Sequence, residues 1–138
     1  MVNLIIGRKG TGKTKRLVDM VNAAAESSNG NVVCIEKGAI LTYNISYKAR
    51  LVDVDNYGIS GFETLYGLVC GICAGNYDVT DLFVDATVKI GGRDFKRLED
   101  FVNKLAVVSE KNDVKFTLAV SADESELPES LIASVNKL

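Results

Sequence analysis

Short runs of β-branched and aliphatic residues alternate along this chain with longer stretches in which apolar positions recur every three or four residues. The runs at 2–6, 31–35, 81–85 and 115–120 have the length and side-chain type of buried strands. Between the first two, Leu17, Met20, Val21 and Ala24 fall at i, i+3, i+4 and i+7, which predicts a helix over 13–26 closed by Ser27-Ser28-Asn29-Gly30. Ser60, with Glu63 three residues on, predicts the N-cap of a second helix that runs to about Ala74 and stops at Gly75-Asn76. Phe95, Leu98, Phe101, Val102 and Leu105 mark a third, and Pro128 suits the first turn of a last one. Residues 40–55 are less regular, although 49–55 partly alternates like a strand. Crossovers of this length join parallel strands. The expected architecture is one domain over residues 1–138, a three-layer α/β/α fold with a mainly parallel sheet of about five strands.

Composition narrows the chemistry. Apolar residues make up 47% of the 138, enough for one compact core. The apolar stretch at 65–74 is broken by glycines and falls short of the roughly 20 residues of a membrane span. With no charged leader or small-residue cleavage site, the expected location is the cytoplasm, without a membrane partner. Cys34, Cys70 and Cys73 are an odd number in apolar surroundings and read as reduced thiols. Lys and Arg number 16 against 18 Asp and Glu, so no global positive field argues for nucleic acid. Histidine is absent, which removes imidazole acid-base chemistry, Ser-His and Cys-His nucleophile pairs, and the commonest metal ligand.

Residues Gly7-Arg8-Lys9-Gly10-Thr11-Gly12-Lys13-Thr14 fit G-x-x-x-x-G-K-[ST] without departure and lie between a strand run and an amphipathic helix. Glycines let such a backbone curl so that successive N–H groups point inward at phosphate oxygens, and the helix N-terminus adds partial positive charge. Lys13 is then placed to bridge the β and γ phosphates, and the Thr14 hydroxyl to ligate Mg2+. A chance match arises in on the order of one in a few hundred chains this long. A nucleoside triphosphate with Mg2+ is therefore the expected ligand.

The run resembles the Walker A motif of the P-loop NTPases, and Leu82-Phe83-Val84-Asp85 resembles the Walker B strand of the same superfamily. The resemblance implies that Asp85 holds Mg2+ through water at the C-terminal edge of the sheet. GTPase-type members carry D-x-x-G there and an N-K-x-D motif for the base. Here Asp85 precedes Ala86-Thr87-Val88, and neither Asn103-Lys104 nor Asn136-Lys137 is followed by the required Asp, so ATP is the expected nucleotide. Many ATPases of the other large branch place Glu immediately after the Walker B Asp, where this chain has Ala86. A subgroup similar to the recombinase and replicative-helicase ATPases, the RecA-like core, carries its Glu at the end of the strand after the phosphate-loop helix. Glu36 stands there and is the candidate for polarising the attacking water; as an alternative it is a solvated strand-exit residue. Ser121 resembles the polar sensor that closes the strand following Walker B, and could equally be a turn former.

Three functions follow as alternatives: a slow ATPase, a nucleotide-dependent regulatory or sensor protein that does not turn over, and a small-molecule kinase resembling thymidine kinase. The last lacks the expected Asp-Glu pair after Walker B and a cysteine-rich zinc lasso. A second copy of the chain or a protein partner is compatible with each. Cys70-Gly71-Ile72-Cys73 has redox or metal-site spacing but no second pair, and reads as packed thiols on a helix. Gly91-Gly92-Arg93 either brings Arg93 to the phosphates or merely breaks the chain before the third helix. Residues 43–50, with their tyrosines and basic side chains, read as a half-exposed strand rather than a single-strand nucleic-acid binder.

Overall fold

The computed structural model describes all residues, Met1–Leu138. Strand β1 (Val2–Gly7) leads into helix α1 (Lys13–Ser27), and β2 (Asn31–Glu36) is followed by β3 (Ala49–Asp53) with no intervening helix. A 3-10 turn at Val54–Tyr57 precedes α2 (Phe62–Gly75), β4 (Val79–Val84), the short α3 (Thr87–Gly91) and α4 (Phe95–Asn112). The chain closes with β5 (Lys115–Ser121), a 3-10 turn at Glu124–Glu126, α5 (Glu129–Ser134) and β6 (Asn136–Lys137). The sheet has six strands in the order β3-β2-β4-β5-β1-β6, and every paired strand is parallel.

Because side chains alternate across a strand, each interior run supplies two cores. Leu4, Val33, Ile35, Leu82, Val84, Phe116 and Leu118 face the larger one, of 25 buried residues, which α2, α3, α4 and α5 cover. Ile5, Val32, Cys34, Phe83 and Ala119 face the smaller one, of nine, covered by Leu17 and Val21 of α1 with Leu41. Burying a leucine such as Leu118 completely contributes about 1.5–3 kcal/mol. The three layers are thus α1, the sheet and the remaining helices, and no helix is long and apolar enough to cross a membrane. Parallel pairing places the C-terminal ends of β1, β2, β4 and β5 along one edge, where Gly7, Glu36, Asp85 and Ser121 emerge.

Several local expectations change. Gly61, not Ser60, caps α2: it adopts φ 89°, and its N–H donates to the Ile90 carbonyl at 2.8 Å, fixing the helix start against α3. The Ser60 N–H instead donates to Thr64 Oγ1 at 3.1 Å. Only residues 49–53 of the irregular segment form a strand; residues 43–48 are a loop in which Tyr43 and Tyr47 are 98% and 92% exposed, so the half-exposed strand expected there is not formed. Helix α3 and strand β6 lie outside the expected elements, and the sheet has six strands where about five were expected. Cys70 and Cys73 are half-buried free thiols on α2, and no group of three or more potential metal ligands of the His, Cys, Asp or Glu type occurs anywhere.

Candidate functional site

The loop between β1 and α1 curls because two of its glycines take conformations closed to most side chains. Gly10 and Gly12 have φ of 86° and 85°, and Gly12 caps α1 without any side-chain hydrogen bond to the helix N-terminus. The first turn of α1 also holds no acidic residue, so its free N–H groups and partial positive charge remain available to an anion. Gly7 is needed for another reason: a Cβ there would lie 2.5 Å from Thr11 Oγ1. The Arg8 carbonyl gathers the loop, accepting Thr11 Oγ1 at 2.7 Å, the Thr11 N–H at 3.3 Å and Lys13 Nζ at 2.8 Å.

Lys13 is 8% exposed. Burial lowers its amine pKa, and the charge of Asp85 opposes that shift. Thr14 Oγ1 donates to Asp85 Oδ1 at 3.3 Å, so residues 71 positions apart meet at the mouth of the loop. Burial raises the pKa of the Asp85 carboxyl; the Thr14 hydroxyl, the Ala86 N–H, Lys13 and Lys89 all pull it back. A hydroxyl and a carboxylate side by side are hard oxygen donors of the kind Mg2+ takes, and a cation there would relieve the cost of burying the charge. Ala86, directly after, sits at φ 56°, a left-handed conformation unusual for a residue with a Cβ.

These groups line a cavity of about 630 Å³ with Lys9, Gly10, Gly12 and Ser121. Six cationic side chains, those of Arg8, Lys9, Lys13, Lys37, Lys89 and Arg93, face two carboxylates there, Asp85 and Glu126. In a chain of net charge −2 this is a local positive excess, reduced by the ties of Arg8 to Asp123 and of Lys37 to Asp55. Ser121 pairs in register with Gly7 and lines the cavity, and its carbonyl accepts Arg93 Nη1 at 3.0 Å. Arg93 therefore does face the cavity, held also by Glu126 at 3.2 Å. Arg8 is drawn to Asp123 at 2.5 Å. Asp123 and Glu126 belong to one capped turn, which thus holds both arginines.

Glu36 is placed differently from the rest. It is only 2% exposed, and its Oε1 accepts the N–H groups of Ile40 and Leu41, each at 3.0 Å. Its neighbours Lys37 and Ile40 line the cavity, but Glu36 does not. Its Oε2 takes no protein hydrogen bond and is not sealed from solvent. Lys37, Lys89 and the Asp123–Glu126 turn were not anticipated from sequence. Their signal is tertiary, since single lysines after unrelated elements carry no pattern until the sheet aligns their strands. A second cavity, of about 440 Å³, lies between β3 and α2 and contains none of the motif residues.

Sheet order, layers and loop together define a three-layer α/β/α P-loop fold. No family model and no curated protein matches the chain. Among solved structures it is similar to the flagellar accessory protein FlaH from Methanocaldococcus jannaschii, with a TM-score of 0.60 and 15% identity over 96% of this chain and 65% of that one. The chain thus spans just under two thirds of FlaH, and the likeness is one of fold.

Proposed function

We propose that this protein binds a nucleoside triphosphate, ATP, with Mg2+ in the cavity at the C-terminal edge of the sheet. The observation that carries this reading is the meeting of Thr14 with Asp85 at 3.3 Å beside buried Lys13, in a cavity where cations outnumber carboxylates six to two. In this reading the free N–H groups of the loop and of the first turn of α1 cradle the β-phosphate, Lys13 exchanges the Arg8 carbonyl for phosphate oxygens, and Thr14 and Asp85 hold Mg2+. When bound, Mg2+ supplies charge neutralisation on the phosphate oxygens. Ser121, whose hydroxyl is unbonded within the protein, serves as the polar contact near the terminal phosphate.

Hydrolysis is slow in this account. Ala86 cannot orient water, and Glu36 has only Oε2 free to do so. The capture of Glu36 Oε1 by two N–H groups favours a second reading, a nucleotide-dependent regulatory protein without turnover. Calorimetric titration with MgATP and MgGTP, followed by a turnover assay on the same sample, tests both. In the ATPase reading Glu36→Gln lowers turnover by about 10² to 10⁴ and leaves binding intact. A brisk wild type with an equally brisk Glu36→Gln variant contradicts the role given to Glu36, and absence of nucleotide binding contradicts the site.

A further inference from the structure

The cavity has a second lysine whose position the loop motif does not explain. β2 ends at Glu36 beside β4, and the Asp85 N–H donates to the Ile35 carbonyl at 2.8 Å. Lys37 therefore leaves the sheet next to Asp85 and lines the cavity, with its amine turned toward the exit of β3, the strand on the other side of β2. Arg8 lies on the β1 side, tied to Asp123. Lys37 Nζ is 2.7 Å from Asp55 Oδ1, and both side chains are partly exposed, 39% and 49%.

The backbone around this pair is fixed. Asp53 Oδ1 accepts the Gly38 N–H at 2.9 Å and the Asp55 N–H at 3.0 Å, stapling the exit of β2 to the exit of β3. Gly38 turns the chain at φ 85°. What can turn is the four-carbon stem of Lys37. An ion pair this exposed contributes little in water, so Asp55 gives up the amine readily to a denser anion.

We propose that Lys37 is a second cation for the terminal phosphate, reached by exchanging the Asp55 carboxylate for phosphate oxygens, and that it makes the site prefer a nucleoside triphosphate to a diphosphate. The proposal rests on the nucleotide reading of the cavity. A diphosphate satisfies the loop and Lys13 but lacks the group that Lys37 meets beside Asp85.

The test is a displacement titration of a fluorescent nucleotide with MgATP and MgADP on the wild type and on Lys37→Gln, Lys37→Arg, Asp55→Asn and Lys13→Ala. Lys37→Gln is expected to lower MgATP affinity about ten-fold and MgADP affinity by less than about two-fold, the scale of one lost charge-assisted contact. Lys37→Arg should retain the preference, and Asp55→Asn, which removes the competing carboxylate, should increase it. Equal losses for the two nucleotides in Lys37→Gln, or unchanged MgATP affinity, overturn the role of Lys37 and leave the site standing. A Lys13→Ala variant that binds like the wild type, or a wild type that binds neither nucleotide, overturns the site and the Lys37 proposal with it.

Discussion

Replacing Gly7 with alanine asks whether the phosphate loop is built as the structure describes. The new Cβ would stand 2.5 Å from Thr11 Oγ1, well inside contact distance, while Thr11 Cβ at 3.5 Å and Lys13 Cδ at 3.6 Å remain ordinary neighbours. The hydroxyl must swing away and lose its 2.7 Å bond to the Arg8 carbonyl. Overpacking of this kind costs about 1–3 kcal/mol. Gly7 is not in a left-handed conformation, so alanine also recovers about 0.4–1 kcal/mol by narrowing the unfolded ensemble. The net destabilisation is about 1–2 kcal/mol, a fall in Tm of roughly 3–10 °C for a domain of this size. Thr11→Ala removes the clashing oxygen and its hydrogen bond, at about 1 kcal/mol. Chemical denaturation of the wild type, both single variants and the double variant gives the coupling. Gly7→Ala with Thr11→Ala should be no less stable than Thr11→Ala alone, a favourable coupling of about 1–2 kcal/mol. Strict additivity, or a Gly7→Ala variant as stable as the wild type, would mean that Gly7 and Thr11 do not meet in this way.

Asp85→Asn should act with opposite sign on stability and on binding. The folded carboxyl has a raised pKa, so its contribution to stability is present below the unfolded pKa and is lost as pH rises through the folded one. Without ligand, the asparagine variant should therefore gain on the wild type as pH rises from about 4 to neutrality; urea titrations across that range check this, and magnesium-dependent nucleotide affinity should fall. Cys34, fully buried and with a thiol pushed up to about 12 by that burial, should resist iodoacetamide at pH about 8 in the native protein and label only on unfolding, as mass spectrometry would read. Cys70→Ser with Cys73→Ser should alter stability but neither nucleotide affinity nor zinc content; stoichiometric zinc lost in that variant would contradict the packed-thiol reading.

Where a residue's conformation is set by its immediate neighbours, the sequence was sufficient. Gly10 and Gly12 take the left-handed turns of the curled loop, and Asp85 directly follows the buried end of β4. The helix over 13–26 extends by one residue, and the third helix begins at Phe95 under the Asp94 cap. What stayed hidden depends on distant chain. β6 is two residues long and exists because Asn136 and Lys137 reach Asn3 and Leu4. α3 follows a left-handed Ala86, which no periodicity signals. Ser60 has the composition of a cap, yet a contact between Gly61 and Ile90 decides where α2 starts. Glu36 occupies the expected strand end, but the inward turn of its carboxylate toward Ile40 and Leu41 is a property of the β2–β3 loop. Arg93 was legible as a candidate and not as a cavity residue, because Ser121 and Glu126, which hold it, are far along the chain.

Thermal unfolding with and without MgATP, on the wild type and on Lys13→Ala, tests whether the cavity binds nucleotide through the phosphate loop. A ligand bound only by the folded state and present at about 100 times its Kd adds about 2.7 kcal/mol of stability. For a domain of this size that is a rise in Tm of roughly 10 °C. The account predicts such a rise for the wild type and none for Lys13→Ala, whose unliganded unfolding should remain cooperative. No rise in the wild type, or an equal rise in both proteins, would contradict it.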